Sequence, residues 1–572
     1  MTMSVGSRPQ ARPSLATFVD IAVGSHSRAA VLLIALSLLA FLPGFFQIPP
    51  VDRDEARFAQ ATKQMVVSGD YVDIRFQGES RYKKPIGIYW LQAAVVKTAV
   101  ALGVPHATTR IALYRIPSLA GAIGAVLLTY WAALAFVSRR AAVLAGLIMA
   151  TSILLGVEAR LAKTDAVLLA ACVAAMGALG RIYLLQRADD LQPAAGWGAW
   201  RLPALFWTAT AAGVLLKGPL ILMFVGLTVA ALIAIDRKAA WLRQLKPVAG
   251  IAWLIVLVSP WFLAIAMRTG WSFYSESIGG DLLSKVGSGQ EAHGMPPGYY
   301  LLLFWVTFYP GSILAGLAAP AVFRAWREPG AKFLLAWTVP AWIVMEIVVT
   351  KLPHYVLPLY PSIAILIAGV VDYHALSQRR WLVQGTLWWL LIAGMLAVLI
   401  IVAHVVVEHE MGLLAWPFAA AGVIFALRAW WLYDEDGAER ALLRAGAAAV
   451  LLSIAVFGAT VPRLPALFPA AQVARYLRGL ECTPAVASAG YHEPSLVFFA
   501  GSATQLTDGV GAADFLRAGD CRVAVVESSQ ERAFALRAET IGLRYGRGPR
   551  IEGFNISGGR RVTLALYRAE RH

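Results

Sequence analysis

Acidic and basic residues stand close together just after the first apolar segment of the chain. Val51–Arg57 reads Val-Asp-Arg-Asp-Glu-Ala-Arg, and Arg81–Trp90 reads Arg-Tyr-Lys-Lys-Pro-Ile-Gly-Ile-Tyr-Trp. Charged groups at a membrane face cost free energy to organise and tend to mark a functional site. Cations there can bind a phosphate, and a carboxylate can accept a proton from a hydroxyl. The two motifs therefore predict an enzyme that takes a sugar from a lipid phosphate at the bilayer surface.

The composition is that of a polytopic α-helical membrane protein. Of the 572 residues, 59% are hydrophobic, and the mean hydropathy is +0.64. Apolar runs long enough to cross a hydrocarbon core of roughly 30 Å recur along the chain. We predict about thirteen spans, near residues 29–47, 110–137, 141–158, 165–186, 203–217, 219–236, 248–267, 300–323, 333–350, 355–372, 382–406, 412–432 and 443–461. The net charge of +16 does not indicate a nucleic-acid partner, because lysines and arginines lie mostly in short loops between spans.

The charge distribution predicts the orientation of the chain. Basic residues concentrate in alternate loops and in the 1–28 leader, so the positive-inside rule places these segments in the cytoplasm. The expected location is the inner membrane of a bacterium, with a transmembrane domain over 29–461. The first loop (48–109) and the 268–298 loop then face the periplasm.

The first outer loop contains two amphipathic patterns. Residues 86–104 look like a span, but a span there would reverse every later loop, so we expect a helix in the membrane interface or a re-entrant helix. A second interfacial helix is expected over Glu55–Val67, where apolar and polar residues separate to opposite faces. Apolar residues alternate with polar ones over Val72–Phe76, which predicts a short strand.

A small α/β domain is predicted after the last span. Residues 462–572 combine one amphipathic helical pattern with two strand-like ones, at Ala471–Leu480, Arg522–Val526 and Val562–Tyr567. After thirteen spans this domain lies in the periplasm. Cys482 and Cys521 both fall in it, and an oxidising compartment allows a disulfide between them. Two separate buried thiols are the alternative.

The topology brings the ends of many spans to the outer face, where their polar residues form one candidate site. Its members are Asp54, Glu55, Arg57, Lys83, Lys84, Arg110, Arg115, Arg160, Lys163, Asp165, Lys217, Glu276, Asp281, Lys285, Glu291, His293, Lys351, His354 and Tyr355. A lipid phosphate at this interface needs cations, and sugar transfer to a hydroxyl needs a carboxylate. Structural alternatives remain, because Asp54 could cap the next helix and Lys84 could bind an anionic headgroup.

Several short motifs resemble those of the integral-membrane C-type glycosyltransferases. The resemblance is to the branch with the bacterial aminoarabinose transferases of lipid A, which is related to the protein O-mannosyltransferases. It runs through Asp54–Arg57, Lys84-Pro85, Tyr89-Trp90, Arg115–Ser118, Thr164-Asp165, Lys217–Pro219, Pro260-Trp261 and Lys351–Pro361. It covers about residues 29–372, and the order of the motifs is more specific than any one of them.

The resemblance implies a function and a set of roles. It implies a polyprenyl-phosphate sugar donor, a lipid or glycan acceptor and an active site at the periplasmic face. Asp54 and Asp165 match acidic active-site positions, and Lys84 and Tyr355 match positions that hold the donor phosphate. The further candidates are Glu55 as an acid, Arg57, Lys285 and Lys351 as phosphate ligands, and Lys83, Arg115, Lys217 and His354 without an assigned role.

The cofactor, the acceptor and the sugar stay open. A polyprenyl phosphate is already a competent leaving group, so no cofactor is required for that purpose, and a divalent metal stays an open alternative. Aminoarabinose transferases typically have an acidic residue where this chain has Lys83, and the 268–298 loop also differs. The alternatives are transfer to a protein and, in another class, transport of a lipid-linked saccharide. A transporter needs polar residues at mid-membrane, and Glu346 is the clearest one.

Overall fold

The computed structural model of the protein describes residues 15–185, 196, 198–277 and 294–569. Its first helices are α1 (Leu15–Val23), α2 (His26–Phe41), α3 (Asp54–Ser68), α4 (Gly87–Ala101), α5 (Ile111–Ala133), α6 (Arg139–Thr151), α7 (Ile153–Glu158), α8 (Asp165–Leu185), α9 (Gly198–Lys217), α10 (Leu220–Asp236) and α11 (Pro247–Thr269). The next are α12 (Ser272–Tyr274), α13 (Tyr299–Thr307), α14 (Gly311–Arg324), α15 (Pro329–Ile347), α16 (Tyr360–Asp372), α17 (Arg380–Gln384), α18 (Trp388–Val407), α19 (Trp416–Trp431) and α20 (Tyr433–Ser453).

The chain is a multi-pass helical membrane protein with fewer clear spans than predicted. Eight described helical segments are long and apolar enough to cross a membrane, or nine if the bent pair α13–α14 is one span. The prediction of about thirteen is too high by this criterion. α2 and α10 are apolar but have only 16 and 17 residues. The span predicted at 141–158 is interrupted at Ser152, whose extended backbone ends α6 and whose hydroxyl caps α7.

The 48–109 loop folds as two helices and a small hairpin. α3 follows the predicted helix closely and ends at Gly69, whose φ of 74° is available to glycine without strain. α4 has 15 residues and packs against both α3 and α5. The strand predicted over Val72–Phe76 is reduced to β1 (Arg75–Phe76), which pairs with β2 (Glu79–Ser80). Its first residues form a turn instead, because the Asp70 carboxylate accepts hydrogen bonds from the amides of residues 72 and 73.

A mixed five-stranded sheet forms the C-terminal domain. Its elements are α21 (Pro469–Arg478), β3 (Ala485–Ala489), α22 (Pro494–Ala500), β4 (Gln505–Thr507), α23 (Gly509–Arg517), β5 (Arg522–Glu527), α24 (Glu531–Thr540), β6 (Tyr545–Asn555) and β7 (Arg560–Ala569). The strand order is β4-β3-β5-β7-β6, in which β3 is parallel to β4 and β5, and β7 is antiparallel to β5 and β6. Alternate residues of β5 pack into two apolar clusters on opposite faces. Cys482 and Cys521 form a disulfide.

The sheet domain docks on the 48–109 loop through α22, which packs against α3. The Asp52 carboxylate accepts a hydrogen bond of 2.9 Å from the backbone N–H of Ser495, in the first turn of α22. The Lys63 ammonium donates one of 2.7 Å to the carbonyl of Phe498 near the other end. Negative charge at a helix N-terminus and positive charge at its C-terminus are both favourable. The loop therefore holds α22 at both ends.

Candidate active site

A cavity of about 340 Å³ lies where the 48–109 loop meets the start of α8, the end of α9 and the 350–355 segment. Of the predicted site residues, those that line it are Asp54, Glu55, Arg57, Lys83, Lys84, Asp165, Lys217, His354 and Tyr355. Lys163, also a predicted member of the site, lines it together with Asp52, Arg53 and Arg81. The structure thus brings together residues as far apart in the sequence as Asp54 and Tyr355, while their roles stay predictions.

Asp54 is exposed to the cavity at the start of α3. The N-cap of α3 is Arg53, so Asp54 is the first helical residue and not the cap that the structural alternative supposed. Arg53 has a φ of 67°, in the left-handed region that non-glycine residues adopt only rarely. A carboxylate at the first helical position is stabilised by the helix dipole. Asp54 is therefore presented to the cavity without serving as the helix cap.

Glu55 lies beside Asp54 but is buried in an ion pair. Arg115 donates to both of its oxygens, from Nε at 2.7 Å and from Nη2 at 2.9 Å. The backbone N–H groups of Val51 and Ala162 donate to the same carboxylate at 2.8 and 2.9 Å. The side chains of Glu55 and Arg115 are 1% and 0% exposed. Because these four bonds occupy both oxygens, the contacts favour a structural role for the pair over the acid role predicted for Glu55.

Asp165 opens α8 and lies in a buried network of charges. Its carboxylate forms an ion pair and hydrogen bond with Lys217, at the end of α9. Nε2 of His354 lies 3.7 Å from Oδ1 of Asp165, and Nζ of Lys163 lies 3.8 Å from Oδ2. Nζ of Lys163 is also 3.1 Å from Glu158, whose carboxylate is 3.6 Å from Nδ1 of His354. Asp165 is thus already paired with cations, in contrast to the exposed Asp54.

The predicted phosphate ligands divide into two groups. Lys84 and Tyr355 are half-buried and line the cavity, where the Lys84 ammonium donates a 2.9 Å hydrogen bond to the carbonyl of Lys83. Nζ of Lys217 is 5.1 Å from the ring centroid of Tyr355, which adds a third group on this wall. Lys351 does not line the cavity; it is buried, and its ammonium donates to two backbone carbonyls at 2.6 and 3.0 Å. Lys285 lies outside the described residues.

The carboxyl group of Asp52 is the perturbed acid of this loop. Burial raises the pKa of Asp52 to about 6, and the nearby carboxylate of Glu493 adds to the shift. The hydrogen bonds from Ser495 and the charge of Arg57 act in the opposite direction. Asp52 therefore exchanges its proton close to neutral pH at the contact between the cavity and the sheet domain.

Sequence reasoning missed Glu158, which is 3% exposed at the end of α7. The ligand atoms of Glu158, Asp165 and His354 lie within 4.8 Å of one another, close enough for all three to hold one metal ion. A carboxylate at the end of an apolar span, seven residues before Asp165, was the signal in the sequence that could have revealed it.

Glu346, the mid-membrane acid noted in the sequence, has a structural explanation. Its oxygens accept hydrogen bonds from the backbone N–H groups of Gly298 and Leu301 at the start of α13. It therefore caps a helix.

Comparison with known proteins shows which class of protein this chain is similar to. Residues 31–270 match the protein-family profile described as dolichyl-phosphate-mannose-protein mannosyltransferase. The fold matches the crystal structure of ArnT from Cupriavidus metallidurans in the apo state, with a TM-score of 0.73 at 18% identity, over 94% of this chain and 97% of that one. The chain is a glycosyltransferase that uses a lipid-phosphate sugar donor, and the resemblance to the integral-membrane C-type glycosyltransferases that the motifs predicted is confirmed.

Within that class the similarity is to the aminoarabinose transferases. The chain is 28% identical to the undecaprenyl phosphate-alpha-4-amino-4-deoxy-L-arabinose arabinosyl transferase of Erwinia tasmaniensis, over 73% of this chain and 70% of the relative. It is 27% identical to the enzyme of the same name from Edwardsiella ictaluri, over 78% and 80%. ArnT from Cupriavidus metallidurans bound to undecaprenyl phosphate gives a TM-score of 0.71 at 19% identity, over 94% and 97%.

Proposed function

We propose that this enzyme transfers a sugar from a polyprenyl-phosphate donor to an acceptor of the bacterial cell envelope. The acceptor classes are lipid A, lipopolysaccharide core or another glycan. The observation that carries the proposal is the cavity itself, in which exposed Asp54 faces the same space as Lys84 and Tyr355. Relatives named for an undecaprenyl-phosphate donor support the donor class.

The reaction is a single displacement at the anomeric carbon of the sugar. The acceptor oxygen forms a bond to that carbon while the bond from the carbon to the phosphate oxygen breaks. The bonding electrons stay on the polyprenyl phosphate, and the proton of an acceptor hydroxyl passes to Asp54. Lys84 and Tyr355 stabilise the charge that grows on the phosphate. Direct displacement inverts the configuration of the sugar.

The two acids have different parts in this mechanism. Asp165 is paired with Lys217 and lies near Lys163 and His354. Nearby cations stabilise a carboxylate and make it a weaker base. Asp54, which is exposed in the cavity, is therefore the general base, and Asp165 orients Lys217 beside Tyr355.

The proposed orientation follows from the charge pattern. The 1–28 leader and the basic loops face the cytoplasm of an inner-membrane protein. The first loop, the 268–298 loop and the 462–572 domain face the periplasm. The polyprenyl chain of the donor stays in the bilayer, and its phosphate reaches the cavity at the outer membrane surface.

The test is sugar transfer from an undecaprenyl-phosphate sugar by purified protein in detergent. Asp54→Asn keeps the shape of the side chain but removes its basicity, and we expect a loss of about 10²–10⁴ in rate with an unchanged melting temperature. Glu79→Gln, an exposed change in the β1–β2 hairpin, is the matched control and should keep full activity. Full activity of Asp54→Asn would exclude Asp54 as the base. If Asp165→Asn alone is inactive, Asp165 takes that role.

Transfer to a protein is the second candidate, because the matched family profile is described for a protein mannosyltransferase. Mass spectrometry of envelope lipids and proteins, from cells with and without the enzyme, separates the two. A sugar mass that is missing from glycolipids supports the first proposal, and one that is missing only from proteins supports the second.

A further inference from the structure

The walls of the cavity contain a ligand set suited to a divalent metal. Glu158, Asp165 and His354 bring their ligand atoms within 4.8 Å of one another. The side chains are 3%, 6% and 11% exposed, so the set is largely shielded from water. Two carboxylates and an imidazole are ligands that zinc and manganese accept.

A lysine ammonium already lies among these ligands. Nζ of Lys163 is 3.1 Å from each oxygen of Glu158 and 3.8 Å from Oδ2 of Asp165. It donates a hydrogen bond to Oε1 of Glu158, while the buried Oε2 accepts none from any described residue. A cation equidistant from both oxygens of a carboxylate has the placement of a bidentate metal ion. The ammonium groups of Lys163 and Lys217 together balance the charges of Glu158 and Asp165.

We propose that the Lys163 ammonium occupies a latent divalent-metal site formed by Glu158, Asp165 and His354, and supplies the positive charge that a metal would bring there. The proposal rests on the proposed function, because the charge acts on the phosphate of a bound donor. Lys163 lines the same cavity as Lys84 and Tyr355. Glu158 is then a positioning residue, which keeps the ammonium at the wall of the cavity.

The consequence is a metal-independent enzyme that one substitution makes metal-dependent. Lys163→Ala removes the ammonium and leaves its space open to an ion. Lys163→Met also removes the charge but fills most of the space, so it is the matched control. Neither change alters the backbone carbonyl of residue 163, which accepts a hydrogen bond from Ser118.

The experiment measures sugar transfer from an undecaprenyl-phosphate sugar, with a chelator or with added MnCl₂. Wild type should be equally active in both. Both variants should lose about 10²-fold or more in the chelator, the usual cost of removing one group that stabilises developing charge. Mn²⁺ should restore Lys163→Ala by roughly tenfold or more and should not restore Lys163→Met. Electron paramagnetic resonance should detect one bound Mn²⁺ in Lys163→Ala, lost in Lys163→Ala/Glu158→Ala.

Three results would overturn the inference. The first is loss of wild-type activity in the chelator. This measurement needs no variant, so it tests the inference even if Lys163→Ala is unstable. Another is near-wild-type transfer by Lys163→Ala in the chelator. The third is a folded Lys163→Ala protein that binds no Mn²⁺. If wild type transfers no sugar at all, the proposed function fails, whereas Mn²⁺ binding by Lys163→Ala still reports on the latent site.

Discussion

Replacing Glu55 by glutamine should destabilise the protein more than it impairs the chemistry. The carboxylate accepts four hydrogen bonds, two of them from Arg115. A glutamine amide has only one acceptor oxygen, and its NH₂ group would face the donors that now bind the second carboxylate oxygen. The fully buried guanidinium would lose its counter-ion. Breaking a buried pair by removing one partner costs about 3–5 kcal/mol, which is the loss of stability expected here.

Arg115→Met should cost at least as much as Glu55→Gln. The guanidinium also donates to the carbonyls of Phe45, Ile48 and Pro49, and so holds the segment between α2 and α3 against α5. These carbonyls would lose their donor in a buried place, in addition to the loss of the ion pair. The double variant removes both charges, so its cost should be smaller than the sum by roughly 0.5–3 kcal/mol, the range of couplings between residues in contact.

The assay combines thermal unfolding in detergent with transfer rates measured well below the midpoint. The expected result is a lower melting temperature for Glu55→Gln and a rate per folded molecule that falls less than that of Asp54→Asn. Glu79→Gln is again the control for a neutral surface change in this loop. A Glu55→Gln protein with wild-type melting and no activity would refute the structural role and restore Glu55 as a catalytic acid. Strict additivity in the double variant would refute the coupling.

Three further outcomes are expected. Lys84→Ala should lose transfer by about 2–4 kcal/mol of transition-state stabilisation, and near-wild-type rates at equal expression would leave Lys84 a headgroup anchor. Burial raises the pKa of Asp52 from 3.8 to about 6, so its contribution to stability is full at low pH and is lost as pH rises through 6. Asp52→Asn should therefore be more stable above pH 6, by up to about 3 kcal/mol at 1.36 kcal/mol per unit, and unchanged pH dependence of melting would contradict this. A cysteine at position 500 should label from outside and one at position 440 from inside, and the reverse would overturn the topology.

Much of this architecture could be predicted because its signals are local. The start of α3, the strands β5 and β7 and the class of membrane protein follow from the period of apolar residues and from turn residues. The span count failed because apolar length alone does not reveal a break such as Ser152, or the 117° bend between α13 and α14. Both depend on how neighbouring helices pack.

The candidate site divides in the same way. The motifs that contain Asp54, Lys84 and Tyr355 could be found in the sequence because polar residues at the ends of apolar spans are unusual. The contacts that separate Glu55 from Asp54 could not, because adjacent acids look alike until Arg115, 60 residues later, is seen to pair with only one. Lys351 was predicted as a phosphate ligand because the sequence shows a lysine at the end of a span but not its partners. In the structure its ammonium donates to backbone carbonyls.

The sheet domain affects the site through the loop it holds. Asp52, which binds the first turn of α22, is two residues before Asp54, and Lys63 binds the carbonyl end of the same helix. Burial lowers the pKa of Lys63 to about 8 and raises that of Asp52 to about 6, so the folded protein disfavours the charged form of both groups. Their contacts with α22 therefore count as ordinary hydrogen bonds, which contribute about 0.5–1.5 kcal/mol each and help to hold α3 against α22. A domain that contributes no predicted catalytic residue therefore constrains the orientation of Asp54 in the cavity.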